Sequence, residues 1–274
     1  MSFKRNGNRA NIILAREEHN AATRRAFASL MTGSGLGFEE STKTFERYVG
    51  ALKAEDPVFP PQPIQPMPAV SHPESAVVVL GHRNDDEGLT FTLEAIASAA
   101  RQTTTQPQVA TQLASEWWPE KINEAVAKTH GKYFAILPYD DRLHTDFMWK
   151  TIAVAEHSGA HIVYTDRMAF GAGDPRVVRS ERVIRKEMFE YGCPLPFTTL
   201  IRRSWWDEMG GMDGTLGLCN NDFYFRSVCA GAVIACSPFP LVEYREHAGK
   251  GSRSMDLPVH YAALDAKWHA LGLV

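Results

Sequence analysis

The sequence predicts an α/β fold in which a mostly parallel sheet is covered by helices on both faces. Short apolar runs such as 76–80 and 133–137 have the length and composition of buried strands. Segments of helical composition separate these runs, and such alternation is typical of parallel sheets packed between helices. The carboxyl ends of the strands should then form one rim, where open α/β sheets bind their ligands.

The elements follow one another from the β-branched run at 76–80 onward. Helical composition marks 89–101, 122–128, 145–157, 204–209 and 221–230, and strand composition marks 109–113, 133–137, 160–165, 198–201 and 232–236. Residues 166–197 and 212–220 have no regular pattern. Because binding pockets are usually built from loops, we expect these two segments to contact the acceptor of any reaction.

Composition indicates a globular chain rather than a disordered one. The 274 residues are 44% hydrophobic and 22% charged, enough for one large domain or a domain with an extension. The formal charge of −3 gives no overall reason to expect a nucleic acid or an anionic membrane as partner. Residues 1–30, however, carry six Lys and Arg residues against two Glu residues, which a solvated helix face also explains.

A proline-rich segment divides the chain. Seven prolines lie between positions 57 and 73, and such a segment behaves as a semi-rigid extended connector. We therefore predict a helical, basic N-terminal extension at 1–56, a linker at 57–73 and the main domain at 74–274.

The cysteines and the hydropathy suggest where the protein works. Four cysteines show neither paired metal spacing nor a disulfide framework, which suits reduced thiols. The sequence has no apolar stretch of membrane-spanning length and no signal-peptide pattern. We expect a cytoplasmic protein with no transmembrane segment.

Adjacent carboxylates, Asp140 and Asp141, follow the apolar run at 133–137. Carboxylates and substrate phosphates together are the usual ligands of Mg²⁺, so the pair suggests a site for a metal and a phosphate. The alternative is a solvated turn that begins the next helix.

Four blocks of residues occur in a characteristic order. They are Val77–Asn84 followed by Thr92–Ile96, then 127–141 ending in Leu-Pro-Tyr-Asp-Asp, then 200–213 with Arg-Arg-Ser-Trp-Trp and Gly-Gly-Met-Asp, and finally 219–231 with Tyr244–His247. This order resembles the family-two glycosyltransferases, inverting enzymes of the GT-A (Rossmann-like) fold that use nucleotide-sugar donors. The resemblance covers about 180 residues, from Val77 to Ser254.

The resemblance implies a donor site. His82, Arg83 and Asn84 fall on the turn that holds the base and ribose of the nucleotide. Asp140 and Asp141 fall on the D-x-D motif, whose last carboxylates bind the donor and a divalent cation, Mn²⁺ or Mg²⁺. Pro138 stands where the first Asp of that motif would be, so one donor contact is lost or replaced.

The late residues of the resemblance complete this site. His247 falls on a histidine that commonly completes the metal shell, although a lone histidine is more often structural. Lys250 and Arg253 lie in a basic loop suited to closing over a diphosphate, or in an ordinary surface loop. The acidic turn that normally contacts the uracil or ribose is missing. Ser115 and Glu116 are its candidate substitutes, and a UDP-sugar is the expected donor.

The catalytic base is the main departure from the family pattern. Asn220 stands where the family has the Asp that acts as the catalytic base. An amide does not accept a proton at neutral pH. Three readings follow: Asp222 is the base after a local shift, the register slips by two, or the chain is not a normal catalyst. Trp205 and Trp206, in the third block, suit packing or sugar stacking.

The expected function is metal-assisted transfer of a sugar from a nucleotide-sugar to an acceptor hydroxyl, with inversion. The acceptor is left open among glycan, lipid, protein and nucleic acid. The alternatives are a catalytically silent module that binds nucleotide-sugars or glycans, and a glycosyltransferase acting on a modified nucleic-acid base. The basic stretch at 1–30 would suit the latter.

Overall fold

The computed structural model describes residues 74–82, 86–103, 107–114, 119–248 and 257–274. The predicted extension at 1–56 and the predicted linker at 57–73 lie outside these ranges. Within them the strands are β1 (Ser75–His82), β2 (Gln108–Ala114), β3 (Tyr133–Pro138), β4 (Arg142–Leu143), β5 (Ile162–Gly171), β6 (Arg176–Val178), β7 (Leu200–Arg202) and β8 (Ile234–Glu246). The helices are α1 (Asp86–Ala100), α2 (Pro119–Ala127), α3 (Phe147–Ser158), α4 (Arg203–Glu208), α5 (Cys219–Cys229) and α6 (Leu257–Ala270), with a 3-10 helix at Lys186–Tyr191.

The strands form one mixed sheet in the order β2-β1-β3-β7-β5-β8-β4, with β6 beside β5. β1 pairs in parallel with β2 and β3, and β5 pairs in parallel with β8. β7 lies antiparallel between β3 and β5. The α/β fold class is confirmed, but the sheet is less parallel than predicted. The segment between β5 and β7 contains no α-helix, and antiparallel neighbours do not need a helical crossover.

The two faces of the sheet build two apolar cores. Val78, Phe134 and Ile136 face the core that also contains residues of α2, α4, α5 and α6. Val77 and Leu137 face the opposite core, which contains residues of α1 and α3. Successive strand residues point to opposite faces, so strands that are apolar throughout fill both cores at once. This explains the unbroken apolar runs in the sequence.

Strand directions determine which helix ends lie near the rim where β3 ends. β8 starts opposite the start of β5, at Ile234 and Ile162, which is the edge opposite that rim. α5 ends shortly before β8 begins, so its first residues point toward the rim. Between α4 and α5 the chain turns at a double glycine, Gly210 and Gly211, whose φ of 70° and 73° lie in the left-handed region.

Helix α6 was absent from the predicted elements. Its sequence, LPVHYAALDAKWHA, mixes apolar and polar positions with little periodicity, because only Leu264 and Trp268 are buried. It runs alongside α5 in the same direction, since His260 lies on Gly217, before α5, while Trp268 lies on Phe225 in its middle. Lys267 and Trp268 contact Asp222 in α5, and the ring of Trp268 stacks on Phe225 with 3.9 Å between centroids.

Candidate functional site

The carboxylates after β3 lie beside the residue that follows β8. Oδ2 of Asp140 lies 3.1 Å from Nε2 of His247, and the two side chains are 9% and 11% exposed. β3 and β8 both end at this rim, and that geometry brings the pair together across 107 sequence positions. Two of the three predicted metal ligands therefore meet in the folded chain.

Asp141 has a different position from Asp140. Its Oδ1 accepts a hydrogen bond of 3.0 Å from the backbone N–H of Arg245 in β8. The turn that carries both carboxylates is closed by a bond of 3.2 Å from the Asp141 N–H to the carbonyl of Pro138. Asp141 thus ties the end of β3 to the end of β8. Asp140 points at His247.

Arg245 supports this junction from behind. Its Nε donates to the carbonyl of Asp140 at 2.9 Å, and its guanidinium also pairs with Glu94 of α1. The guanidinium carbon lies 4.0 Å from the ring centre of Phe91 and 4.4 Å from that of Phe170. A planar cation held between two rings and two oxygen partners is fixed in orientation, so Arg245 holds the Asp140 turn in place.

A second arginine continues the charged network. Arg142 Nε donates to Glu243 at 2.6 Å, and its Nη1 lies 3.5 Å from Glu94. Burial raises the pKa of Glu243, while the attraction of Arg142 opposes that rise. The charges at the rim are therefore paired, and Glu94 is the common partner of Arg142 and Arg245.

Aromatic rings line the same place. Phe91 and Tyr139 both pack edge-on against the imidazole of His247, at centroid distances of 5.4 and 6.4 Å. Such flat apolar walls around a few polar groups are typical of small-molecule sites. The arrangement suits a ligand that has a ring and a charged group.

Asp140 and His247 are the side chains of the rim that could bind a cation. Within the described ranges, no cluster of three or more His, Cys, Asp or Glu side chains is arranged to hold an ion. Asp140 and His247 supply one carboxylate oxygen and one imidazole nitrogen. Mg²⁺ sites often use one or two carboxylates and take the remaining oxygens from substrate phosphates and water. The pair fits a cation that a diphosphate completes.

Asp222, the predicted base, is fully buried in an ionic cluster. Its Oδ2 accepts hydrogen bonds of 2.8 Å from both Arg226 and Lys267, and its Oδ1 accepts one of 3.2 Å from Trp268. A carboxylate held by two cations in the interior is typical of a structural ion pair. These surroundings do not suit a group that must reach an acceptor hydroxyl.

Asn220 lies at the surface of α5, and Trp205 and Trp206 lie in the core. Asn220 lies in the first turn of α5 and is partly exposed. Trp205 and Trp206 are both buried, so the packing alternative holds for them. Trp205 donates to Ser227 at 3.1 Å, and Trp206 meets Phe134 edge-on at 5.2 Å.

One carboxylate was missed by the sequence analysis. Asp166 follows the predicted strand 160–165 and is 3% exposed, at a double irregularity where β5 pairs with β8. Arg182 holds both its oxygens at 2.7 Å, and the Ser180 N–H donates to it at 2.8 Å. In the sequence, Asp166 follows the predicted strand 160–165 as Asp140 follows 133–137, so the same strand-end rule could have marked it. In the structure it lies within β5, which continues to Gly171.

Several predicted donor-site residues are not described by the structure. Arg83, Asn84, Ser115, Glu116, Lys250 and Arg253 lie outside the described ranges, and His82 is the last residue of β1. None of the helices in the described ranges is long and apolar enough to cross a membrane.

The fold is that of the GT-A glycosyltransferases: a curled central sheet with helices on both sides. The S. aureus TarS fragment 1–349, solved in complex with UDP-GlcNAc, is similar with a TM-score of 0.53 and 11% identity over 66% of this chain. The same fragment solved without that ligand, and the longer TarS chain, each give a TM-score of 0.50 at 11% identity over 63% of this chain.

The likeness to TarS is partial in length and remote in sequence. The chain covers 61% of the length of the TarS fragment with UDP-GlcNAc, 60% of the fragment without it and 37% of the longer chain. Neither a protein-family model nor a curated protein sequence matches the chain. At this identity the comparison establishes the fold, and the chemistry must be argued from the site.

Proposed function

We propose that this protein is a glycosyltransferase that moves a sugar from a nucleotide-sugar donor to an acceptor hydroxyl, with inversion and with the help of a divalent cation. The observation that carries the proposal is the Asp140–His247 pair at the carboxyl ends of β3 and β8, in a GT-A fold. Ligands of open α/β sheets bind at such an edge.

The donor side of the proposal rests on the comparison with TarS and on two groups of residues near the rim. TarS, which shares the fold, was solved with UDP-GlcNAc, and a UDP-sugar is therefore the donor we propose. His82 ends β1, which lies beside β3, and Arg83 and Asn84 follow it in the sequence; these three residues are proposed to contact the base and ribose. Lys250 and Arg253 follow His247 in sequence and are proposed to contact the diphosphate.

Asp140 and His247 would hold the cation, Mn²⁺ or Mg²⁺, and Asp141 would keep the turn in position. When bound, such an ion neutralises charge on the leaving diphosphate as a Lewis acid. The protein contributes the fixed geometry. The Nε of Arg245 donates to the backbone carbonyl of Asp140 at 2.9 Å, and its backbone N–H donates to the Asp141 carboxylate at 3.0 Å, so the turn that carries both residues is fixed before the donor arrives.

In the reaction, an acceptor oxygen would attack the anomeric carbon of the sugar as the bond from that carbon to the diphosphate breaks. The nucleoside diphosphate leaves with the bonding electrons, and the acceptor hydroxyl loses its proton to a base. We propose that segments 166–197 and 212–220 contact the acceptor; the first of them includes the end of β5, where Gly171 pairs with Glu246 next to His247.

A silent donor-binding module is the second candidate. It is favoured by one observation: Asn220 stands where the family has its base, and Asp222 is fully buried. Such a module would bind the nucleotide-sugar without releasing UDP.

The proposal is tested by a thermal-shift screen of UDP, UDP-GlcNAc, UDP-glucose and GDP-mannose, each with and without Mn²⁺. A ligand that binds only the folded state raises the melting temperature. We expect a rise with UDP-sugars that depends on Mn²⁺. The absence of any shift with all four would contradict the proposal, and binding without UDP release would favour the silent module.

A further inference from the structure

We propose that His260, at the start of α6, is the catalytic base of the transfer and receives the proton of the acceptor hydroxyl. The assignment rests on the glycosyltransferase activity proposed above. It gives the reaction a proton acceptor at the place where Asn220 provides none.

The ring of His260 lies against the chain just before α5. A Cβ atom added at Gly217 would overlap Cε1 and Nδ1 of His260 and would lie 3.0 Å from its Nε2. The imidazole therefore lies directly on the backbone of residue 217. This backbone is two residues before α5 and three before Asn220, the position that the family pattern gives to the base.

The alignment of α6 on α5 is fixed. Lys267 bridges Asp213 and Asp222 at 2.8 Å each, and Trp268 donates to Asp222 and stacks on Phe225. These buried contacts anchor the last turns of α6 beside the middle of α5. Since the two helices run in the same direction, the first turn of α6 lies beside the start of α5, on the side of the rim.

The accessibility of His260 differs from that of Asp222. His260 is partly exposed, whereas Asp222 is fully buried with both oxygens engaged. An imidazole is the side chain best suited to take a proton near neutral pH, and it can do so only if the acceptor reaches it. His260 meets this condition and Asp222 does not.

The first turn of α6 touches both segments that are predicted to contact the acceptor. The hydroxyl of Tyr261 would lie 3.3 Å from a Cβ at Gly192, in the segment 166–197. Gly217 belongs to the segment 212–220. The 90% exposed ring of Tyr191 precedes Gly192. The turn therefore reaches one segment through each of two neighbouring residues, Gly192 through Tyr261 and Gly217 through His260.

The transfer step forms one bond at the anomeric carbon and breaks another. The acceptor oxygen forms the new glycosidic bond to the anomeric carbon, and the bond from that carbon to the β-phosphate oxygen breaks. UDP leaves with the electron pair, and the acceptor proton moves to a ring nitrogen of His260. With water as acceptor the products are the free sugar and UDP, so the step is measurable without knowing the natural acceptor.

The test measures UDP release from UDP-GlcNAc and UDP-glucose with Mn²⁺, using the full chain, and donor binding by thermal shift. The variants are His260→Ala and His260→Gln. The control is His269→Ala on the same helix, because the His269 side chain is 62% exposed and pairs with the exposed Asp265. A base contributes roughly 10² to 10⁴ in rate, so we expect both His260 variants to lose about 100-fold or more while the donor-induced shift is kept.

The outcomes separate this assignment from the proposed function. If the wild type releases UDP and His260→Ala keeps its rate within about threefold, the base role of His260 is overturned and the transferase activity stands. If the wild type binds donors but releases no UDP from either, the silent donor-binding module is favoured over the transferase, and the assignment of a base falls with the activity on which it rests. Loss of donor binding in His260→Gln would also refute a base role, since the residue would then serve the donor.

Discussion

Nε2 of His247 lies 3.1 Å from Oδ2 of Asp140, although 107 positions separate the two residues in the sequence. Only the convergence of β3 and β8 at one rim produces this contact. An imidazole nitrogen and a carboxylate oxygen at this distance form a hydrogen bond in the free protein. The same two atoms are suited to share a cation once a diphosphate supplies further oxygens.

Replacing His247 by Ala should weaken the cation dependence of donor binding. Loss of one of two protein ligands should raise the Mn²⁺ concentration needed for half-maximal stabilisation by UDP by about tenfold or more. The measurement is a Mn²⁺ titration of the melting temperature at fixed UDP. His157→Ala, an exposed histidine at the end of α3, is the matched control and should titrate like the wild type.

Replacing Arg245 by Lys should weaken both the fold and the donor site. A lysine cannot keep the bonds to the Asp140 carbonyl and to Glu94 while lying between Phe91 and Phe170. We expect a loss of about 1–3 kcal/mol in the free energy of unfolding, since hydrogen bonds to charged groups are involved. Urea denaturation measures it. A variant as stable as the wild type would show that the guanidinium does not fix the Asp140 turn.

Asp222→Asn distinguishes a structural carboxylate from a base. As a base, its loss would lower turnover by roughly 10² to 10⁴ per folded molecule. As the buried partner of Arg226 and Lys267, its loss should destabilise the fold by about 3 kcal/mol. We expect the second result, with turnover per folded molecule reduced by less than about tenfold. Measuring unfolding and UDP release on the same preparation decides between them.

The Asp213–Lys267 pair should make stability depend on acid pH. Burial alone would raise the pKa of Asp213, but the hydrogen bonds from Lys267 and Thr215 lower it to about 2 from the ordinary 3.8. A carboxyl whose folded pKa is depressed stabilises the fold above its unfolded pKa. That contribution is lost as the pH falls from about 4 to about 2.

Asp213→Asn should therefore remove part of the acid sensitivity. Given the partial exposure of Asp213, we expect the wild type to lose about 1–2 kcal/mol more than the variant between pH 5 and pH 2. Urea unfolding at a series of pH values gives the two curves. If the free energies of unfolding of the two proteins changed with pH in parallel, the Asp213–Lys267 pair would not contribute to the acid dependence of stability.

The apolar strands and the third and fourth blocks were predictable because their signals are local. Runs such as Tyr133–Leu137 are buried on both faces of the sheet, so they are apolar throughout and easily recognised. The strand-end rule likewise located Asp140. The antiparallel insertion of β7 was not predictable, because three residues, Leu200–Arg202, carry no information about the direction of their neighbours.

Long-range pairing determined the rest of the site. The resemblance placed Asp222 at an acidic position of the family, but its environment depends on Lys267 and Trp268, 45 and 46 positions away. Helix α6 buries only Leu264 and Trp268 and therefore shows almost no apolar periodicity. The proximity of His260 to Gly217 follows from the docking of that helix, so no sequence pattern indicated it.

The most direct test of the account is UDP release from UDP-GlcNAc by the wild type and by Asp140→Asn, each with Mn²⁺ and with EDTA. The account predicts release by the wild type that stops in EDTA, and a loss of about 100-fold or more in Asp140→Asn, because removal of a preorganised electrostatic contact costs about that factor. Asp207→Asn, an exposed carboxylate of α4, should keep the wild-type rate. Equal rates for Asp140→Asn and the wild type, or release unaffected by EDTA, would contradict a donor site built on Asp140 and His247.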